Sequence, residues 1–240
     1  MLDSILFDLD GTLLPMDMEK FMNIYFREMG EMFKDITDPK LLVKNIWTAT
    51  AEMVGNVEPI TNEKVFMNKF NQLINGNIDE YMKRFDCFYD TAFHKTREAV
   101  KSHILIKESI EILKNKNYKL VIATNPLFPR KAIHLRIEWA GLNLDDFECI
   151  TCYEDNHYCK PQLQYYKEIL DIINRKPEQC MMVGNDVQED MIAGKLGMQT
   201  FLVTDHIIHR TSDEIVSTYK GDYNDFYTFV KNLEPVLNNG

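Results

Sequence analysis

Four acidic residues near the two ends of the chain have the type and spacing to act together: Asp8 and Asp10 in FDLDGT, and Asp186 and Asp190 in GNDVQED. Carboxylates this far apart do not form one solvated run, yet a fold that joins them could hold a divalent cation. Two unit charges about 4 Å apart repel by about 4 kcal/mol at an effective dielectric of about 20, unless a cation or a proton relieves them. A hard ion such as Mg²⁺ takes oxygen ligands, keeps waters and bridges carboxylates to a substrate phosphate. Alternatively, the pair splits its pKa values into one nucleophilic carboxylate and one protonated acid.

The elements that must position these groups are strand-length apolar stretches that end in polar residues: SILFDLDGT, KLVIATNP, ECITCYED, QCMMVGND and TFLVTD. Between the later ones lie helical patterns over 130–140, closing at Gly141, and over 162–174, with Leu163, Tyr166, Ile169, Leu170 and Ile173 on one face. Alternating strands and helices of this length predict an α/β fold, a Rossmann-like, mostly parallel sheet with helices on both faces. Ligands bind outside the carboxyl ends of such strands, where the polar residues sit. Period-2 geometry over Asp8-Leu9-Asp10 predicts two carboxylates pointing the same way, and Gly11 then permits a tight turn.

Residues 16–98 read differently, with helical periodicity and almost no strand signal. One stripe runs through Met18, Phe21, Met22, Tyr25, Phe26 and Met29; two more follow at Phe66, Phe70, Leu73, Ile74 and at Ile78, Tyr81, Met82, Phe85. The division predicted is a catalytic core of residues 1–15 and 99–240 with an all-α insert over 16–98. Helical spacing places Trp47 in the insert's core, on a segment shared with Lys44 and Glu52. The aromatic stripes can bury within the insert or against another chain.

Composition narrows the function. Apolar residues make up 45% and charged ones 27%, as in ordinary globular chains. Twenty-seven Lys and Arg against 37 Asp and Glu leave a formal charge of -10, which disfavours nucleic-acid and anionic-membrane surfaces. An anionic substrate then needs local cations. No apolar run approaches a membrane span and the first strand begins by Ser4, so a cytoplasmic protein is expected. Five cysteines without an export signal predict reduced thiols, and Cys149 and Cys152, although a CxxC, lack the second pair of a zinc site. The six histidines form no HxH or HExxH pattern. His157 lies three residues before Lys160.

DLDGT, a Thr at a later strand end, a Lys-Pro pair and the GND…D cluster, in this order along the chain, resemble the haloacid dehalogenase superfamily. The resemblance implies Asp8 as nucleophile and Asp10 as acid/base, Thr124 with Asn125 as phosphate-binding groups, and Lys160 as the cation between nucleophile and phosphoryl group. It implies Mg²⁺ held by Asp8, the Asp10 carbonyl and Asp186, with Asp190 as ligand or orienter. Many family members carry Gly-Asp where this chain has Gly184-Asn185, so Asn185 joins the metal candidates. Arg130 and Lys131, after the Thr124 loop, could add positive potential at the phosphate. The helical insert resembles the family's mobile cap. The function implied is a Mg²⁺-dependent phosphatase acting on a small phosphorylated metabolite through an aspartyl-phosphate. A haloacid dehalogenase, a phosphomutase and a non-catalytic phosphometabolite-binding module are the alternatives. Asp10 disfavours the first of these, because halide departure needs no proton.

Overall fold

The computed structural model describes residues 1–237. Six parallel strands form one sheet: β1 (Ser4–Phe7), β2 (Lys119–Ile122), β3 (Cys149–Ile150), β4 (Cys180–Gly184), β5 (Gln199–Val203) and β6 (Tyr219–Gly221), in the order β3-β2-β1-β4-β5-β6. Every residue of β1 is buried, as a central parallel strand covered on both faces requires. The alternation of side chains splits the core in two. Ile5 and Phe7 join one cluster with Ile110 of α5 (Ile104–Asn115), Ile133 of α6 (Arg130–Ala140) and Phe226 of α8 (Tyr223–Asn232). Leu6 joins the other, with Tyr165 and Ile169 of α7 (Leu163–Ile172). Helices therefore cover both faces. The order reverses at β1, which pairs with β2 on one side and β4 on the other, and the crevice at that reversal is where such sheets bind ligands.

Between β1 and α5 the chain forms α1 (Met18–Phe33), α2 (Pro39–Gly55), α3 (Asn62–Leu73), α4 (Ile78–Asp90) and a 3-10 stretch over Ala92–Ala99. Asp38 caps α2, accepting from the Lys40 and Leu41 amides, and Pro39 supplies its first turn. The aromatic stripes pack edge to face, as in Tyr25 against Phe88 at 5.3 Å and Phe70 against Phe85 at 5.4 Å. The two chain crossings into this helical segment run side by side: Asp17 N–H donates to the Ala99 carbonyl and Lys101 N–H to the Pro15 carbonyl, both within 3.1 Å.

The sequence reading differs from the structure at two elements. β6 was not foreseen, because Tyr219 and Lys220 are exposed and an edge strand this short carries no apolar run. Trp47, expected in the insert's core, is 52% exposed and faces the cleft described below. No helix among the described residues is long and apolar enough to cross a membrane.

Candidate active site

β1 ends at Phe7, just before the acidic pair, and Asp8 and Asp10 reach different partners. Asp8 Oδ1 accepts from Lys160 Nζ at 2.9 Å. Among the described residues its Oδ2 has only the Thr12 hydroxyl, at 3.4 Å. Asp10 Oδ2 is paired with the guanidinium of Arg136, and Asp10 Oδ1 is buried without a partner among the described residues. Both carboxylates line one cleft at the sheet's carboxyl edge, together with Thr124, Asn125, Asn185 and Asp186.

Lys160 is a buried hub. It is 1% exposed, and besides Asp8 it donates to Asp190 Oδ1 at 2.6 Å. Burial alone would lower its pKa, but the Asp190 and Asp8 carboxylates outweigh burial and hold it well above the usual lysine range. Asp190 is fully buried, with its second oxygen accepting from the Asp186 amide at 2.9 Å. Both its oxygens are thus engaged inside the protein, one by Lys160 and one by the Asp186 amide. Burial also raises the Asp10 pKa, against the Arg136 guanidinium and with the charge of Asp8.

The β4 loop is tied to the β1 loop by the Thr12 hydroxyl, 3.0 Å from Asn185 Oδ1. Asn185 Nδ2 donates to the His206 carbonyl at 2.6 Å, so its amide braces the β4 loop against the loop after β1 and the loop after β5. Gly11, at φ 85°, closes the turn, and a Cβ there would collide with the Asn185 amide. Thr124 is buried at the end of β2, its hydroxyl free of protein partners among the described residues, while its carbonyl accepts from Thr151 and Tyr165. Asn125 accepts from the Lys160 amide at 3.2 Å and donates to Glu189 at 3.0 Å.

Two cations at the cleft escaped the sequence reading. Arg136 lies on the buried face of α6, over the Phe128 ring at 4.4 Å. An arginine at an apolar position of a helix was the available signal. Arg210 pairs with Asp186 at 2.6 Å and approaches Glu189 at 3.6 Å. It lies in an irregular loop, where no periodicity marks it. Arg130, expected near the phosphate, instead binds Asp155 at 2.5 Å and is not part of the cleft lining. Lys131 bridges to Asp90 of α4 at 2.8 Å. His157 is held by Glu168 at 2.5 Å. All five cysteines are free thiols, and burial pushes Cys149 and Cys152 up to about 11 and about 12, away from thiolate chemistry.

Among the described residues, a cation at this cleft would meet the carboxylate oxygens of Asp8 and Asp186. That set suits a hard ion such as Mg²⁺. No three His, Cys, Asp or Glu side chains among the described residues converge into a ready cage. Mg²⁺ sites commonly use one or two carboxylates and several waters, so the donors fit. Arg210 already places a positive charge on Asp186, in the manner of a stand-in cation.

A family model for haloacid dehalogenase-like hydrolases matches residues 2–197, most of the chain. The chain belongs to the haloacid dehalogenase-like hydrolase family. This hydrolase is similar to the pyrophosphatase PpaX of Anoxybacillus flavithermus, 24% identical over 223 residues that span 92% of this chain and 91% of the relative. Among solved structures, L-2-haloacid dehalogenase from Xanthobacter autotrophicus aligns with a TM-score of 0.62 at 12% identity, over 97% of this chain and 100% of the other. The HAD hydrolase YfnB from Bacillus subtilis, solved bound to magnesium, aligns with a TM-score of 0.59 at 18% identity, over 96% and 99%. At these identities the structural likenesses bear on the fold.

Proposed function

We propose that the chain is a Mg²⁺-dependent phosphatase of small phosphomonoesters that works through an aspartyl-phosphate on Asp8. The observation that carries this reading is the pairing at the cleft: one oxygen of each carboxylate is tied to a buried cation, while Asp8 Oδ2 has only a long contact with Thr12 and the buried Asp10 Oδ1 has no partner among the described residues. Asp8 Oδ2 attacks phosphorus, and Lys160, protonated and immobile, offsets the charge that accumulates between nucleophile and phosphoryl oxygens. Asp10 protonates the departing ester oxygen from Oδ1 and then takes a proton from the water that cleaves the acyl phosphate, releasing inorganic phosphate. An unpartnered buried carboxylate oxygen calls for such a proton-sharing partner. The Thr124 hydroxyl and the Asn125 amide are suited to orient the phosphoryl oxygens. Asp8, Asp186 and the Asp10 carbonyl would hold Mg²⁺, which when bound supplies further positive charge to the phosphate.

The α1–α4 segment acts in this reading as a cap over 16–98 that excludes water while the ester is bound. Phosphoanhydrides, the substrate class in the name of the PpaX relatives, belong to the same phosphoryl-donor class. Free thiols and a formal charge of -10 suit a cytoplasmic enzyme of small metabolites that binds neither nucleic acid nor membrane. The test is release of phosphate from 4-nitrophenyl phosphate with Mg²⁺ by the purified chain. Activity that Asp8→Asn leaves intact, or no activity at all, refutes the reading.

A further inference from the structure

The cleft that begins at Asp8 continues between the sheet and the helical segment as a cavity of about 410 Å³, within the range of small-molecule sites at ~300–1,000 Å³. Its two ends differ in chemistry. The sheet end carries Asp8, Asp10, Asp186 and Glu189; Arg210 is the one cation among the described lining residues, and Lys160 and Arg136 lie behind Asp8 and Asp10 as their partners. The helical end is lined by apolar and aromatic side chains, among them Met22, Phe26, Ile46, Trp47, Phe66 and Phe85, and no charged side chain of α1–α4 lines it among the described residues. Two of its four hydroxyls are spent on each other: the Tyr25 and Tyr89 hydroxyls bond at 2.9 Å, and burial keeps both neutral. The Thr50 and Tyr153 side chains are the remaining hydroxyls at this end.

We infer that the leaving group is an uncharged, largely apolar alcohol, aryl-alkyl or medium-chain alkyl, that lies against Trp47 and Phe66 while its phosphate sits at Asp8; this rests on the phosphatase reading. A second phosphate or a carboxylate on the leaving group would lie among apolar rings or beside four carboxylates, with Arg210 already committed to Asp186 and Glu189. A polyol would leave most of its hydroxyls unpaired, because one face of the cavity offers few donors or acceptors. Trp47 is 52% exposed and packs on Phe26 at 5.7 Å, an indole with little to bury it in the protein alone and an open face toward the cavity.

The experiment compares kcat/KM of the full chain with Mg²⁺ on ethyl, butyl, hexyl and 2-phenylethyl phosphate, glycerol phosphate, phosphoglycolate and inorganic pyrophosphate. The alkyl esters share similar leaving alcohols, so differences among them report binding. The expected rise is about fourfold per methylene from ethyl to hexyl. Hydrolysis that is flat with chain length, or faster on glycerol phosphate, phosphoglycolate or pyrophosphate than on 2-phenylethyl phosphate, overturns this inference and leaves the phosphatase reading standing. Trp47→Ala, at an exposed position, should lower the preference for 2-phenylethyl over ethyl phosphate by roughly tenfold; an unchanged preference counts against the indole's role and the inference. If no ester is hydrolysed, the phosphatase reading fails, and calorimetric titration with ethyl-, butyl- and hexylphosphonate decides the cavity separately. Affinity that tightens with chain length supports an apolar subsite, and absent or length-independent binding overturns it.

Discussion

Asp8, Lys160 and Asp190 form a buried anion-cation-anion string whose energetics can be tested one side chain at a time. Lys160→Met would leave two buried carboxylates facing each other, and removing one member of a buried pair costs about 3–5 kcal/mol. Urea unfolding should show a loss of that order alongside lost activity. A loss under about 1 kcal/mol would show that the string relaxes into solvent. Arg210 offers the opposite case: its side chain is 51% exposed and competes with any cation for Asp186. A half-exposed pair is worth about 0–1 kcal/mol, so Arg210→Gln should tighten Mg²⁺ binding by up to about fivefold in a calorimetric titration. Weaker binding would mean that Asp186 does not receive the metal. Asp8→Asn should cut phosphate release by about 10³-fold or more, because the amide cannot form the acyl phosphate.

At the level of elements, the turn after β1 decides whether the loops of β1 and β4 meet. Gly11 holds φ 85°, a region that costs an L side chain roughly 1–2 kcal/mol, and its Cα faces the Asn185 amide. Gly11→Ala should therefore lower stability by about that amount and also displace Asn185 from Thr12 and His206, with a fall in activity larger than the stability loss explains. Full activity in a folded Gly11→Ala protein would remove the turn from the site's architecture. The strands β1, β2, β4 and β5 were legible because each is an apolar run ending in polar residues, and α6 because its pattern closes at Gly141, which adopts φ 76°. β6 was illegible for the converse reason: an edge strand pairs through its backbone, and its side chains may be of any kind. Trp47 misled because helical spacing says which residues share a face, and only packing says whether protein or cleft covers that face.

For the whole molecule, the helical segment meets the sheet side through polar contacts where α2 gives way to α3 and along α4, beside aromatic packing on Phe128 and Trp139. Gln162 Nε2 donates to the Val54 and Asn56 carbonyls, Asn62 N–H donates to the Asn156 carbonyl, and Lys131 meets Asp90. Such contacts, with the paired crossings at 15–17 and 99–101, allow a hinge. Ligand that bridges the Asp8 end and the aromatic end should close it, slowing amide hydrogen exchange in residues 16–98 when vanadate and Mg²⁺ are added. Identical protection with and without vanadate would count against a moving cap.

Residue types and their order along the chain were enough to identify the α/β sheet, the helical insert and the acidic, lysine and threonine motifs, because strand and helix periods and strand-end polarity are local properties. Tertiary structure alone decided which oxygens stay unpaired among the described residues, that Asp190 contacts Lys160, that Arg136 and Arg210 pair with Asp10 and Asp186 while Arg130 pairs with Asp155, and that the far end of the cleft is apolar. Those outcomes depend on contacts between residues more than 20 positions apart, as between Asp10 and Arg136, |i−j| of 126, and on burial, which no local pattern encodes.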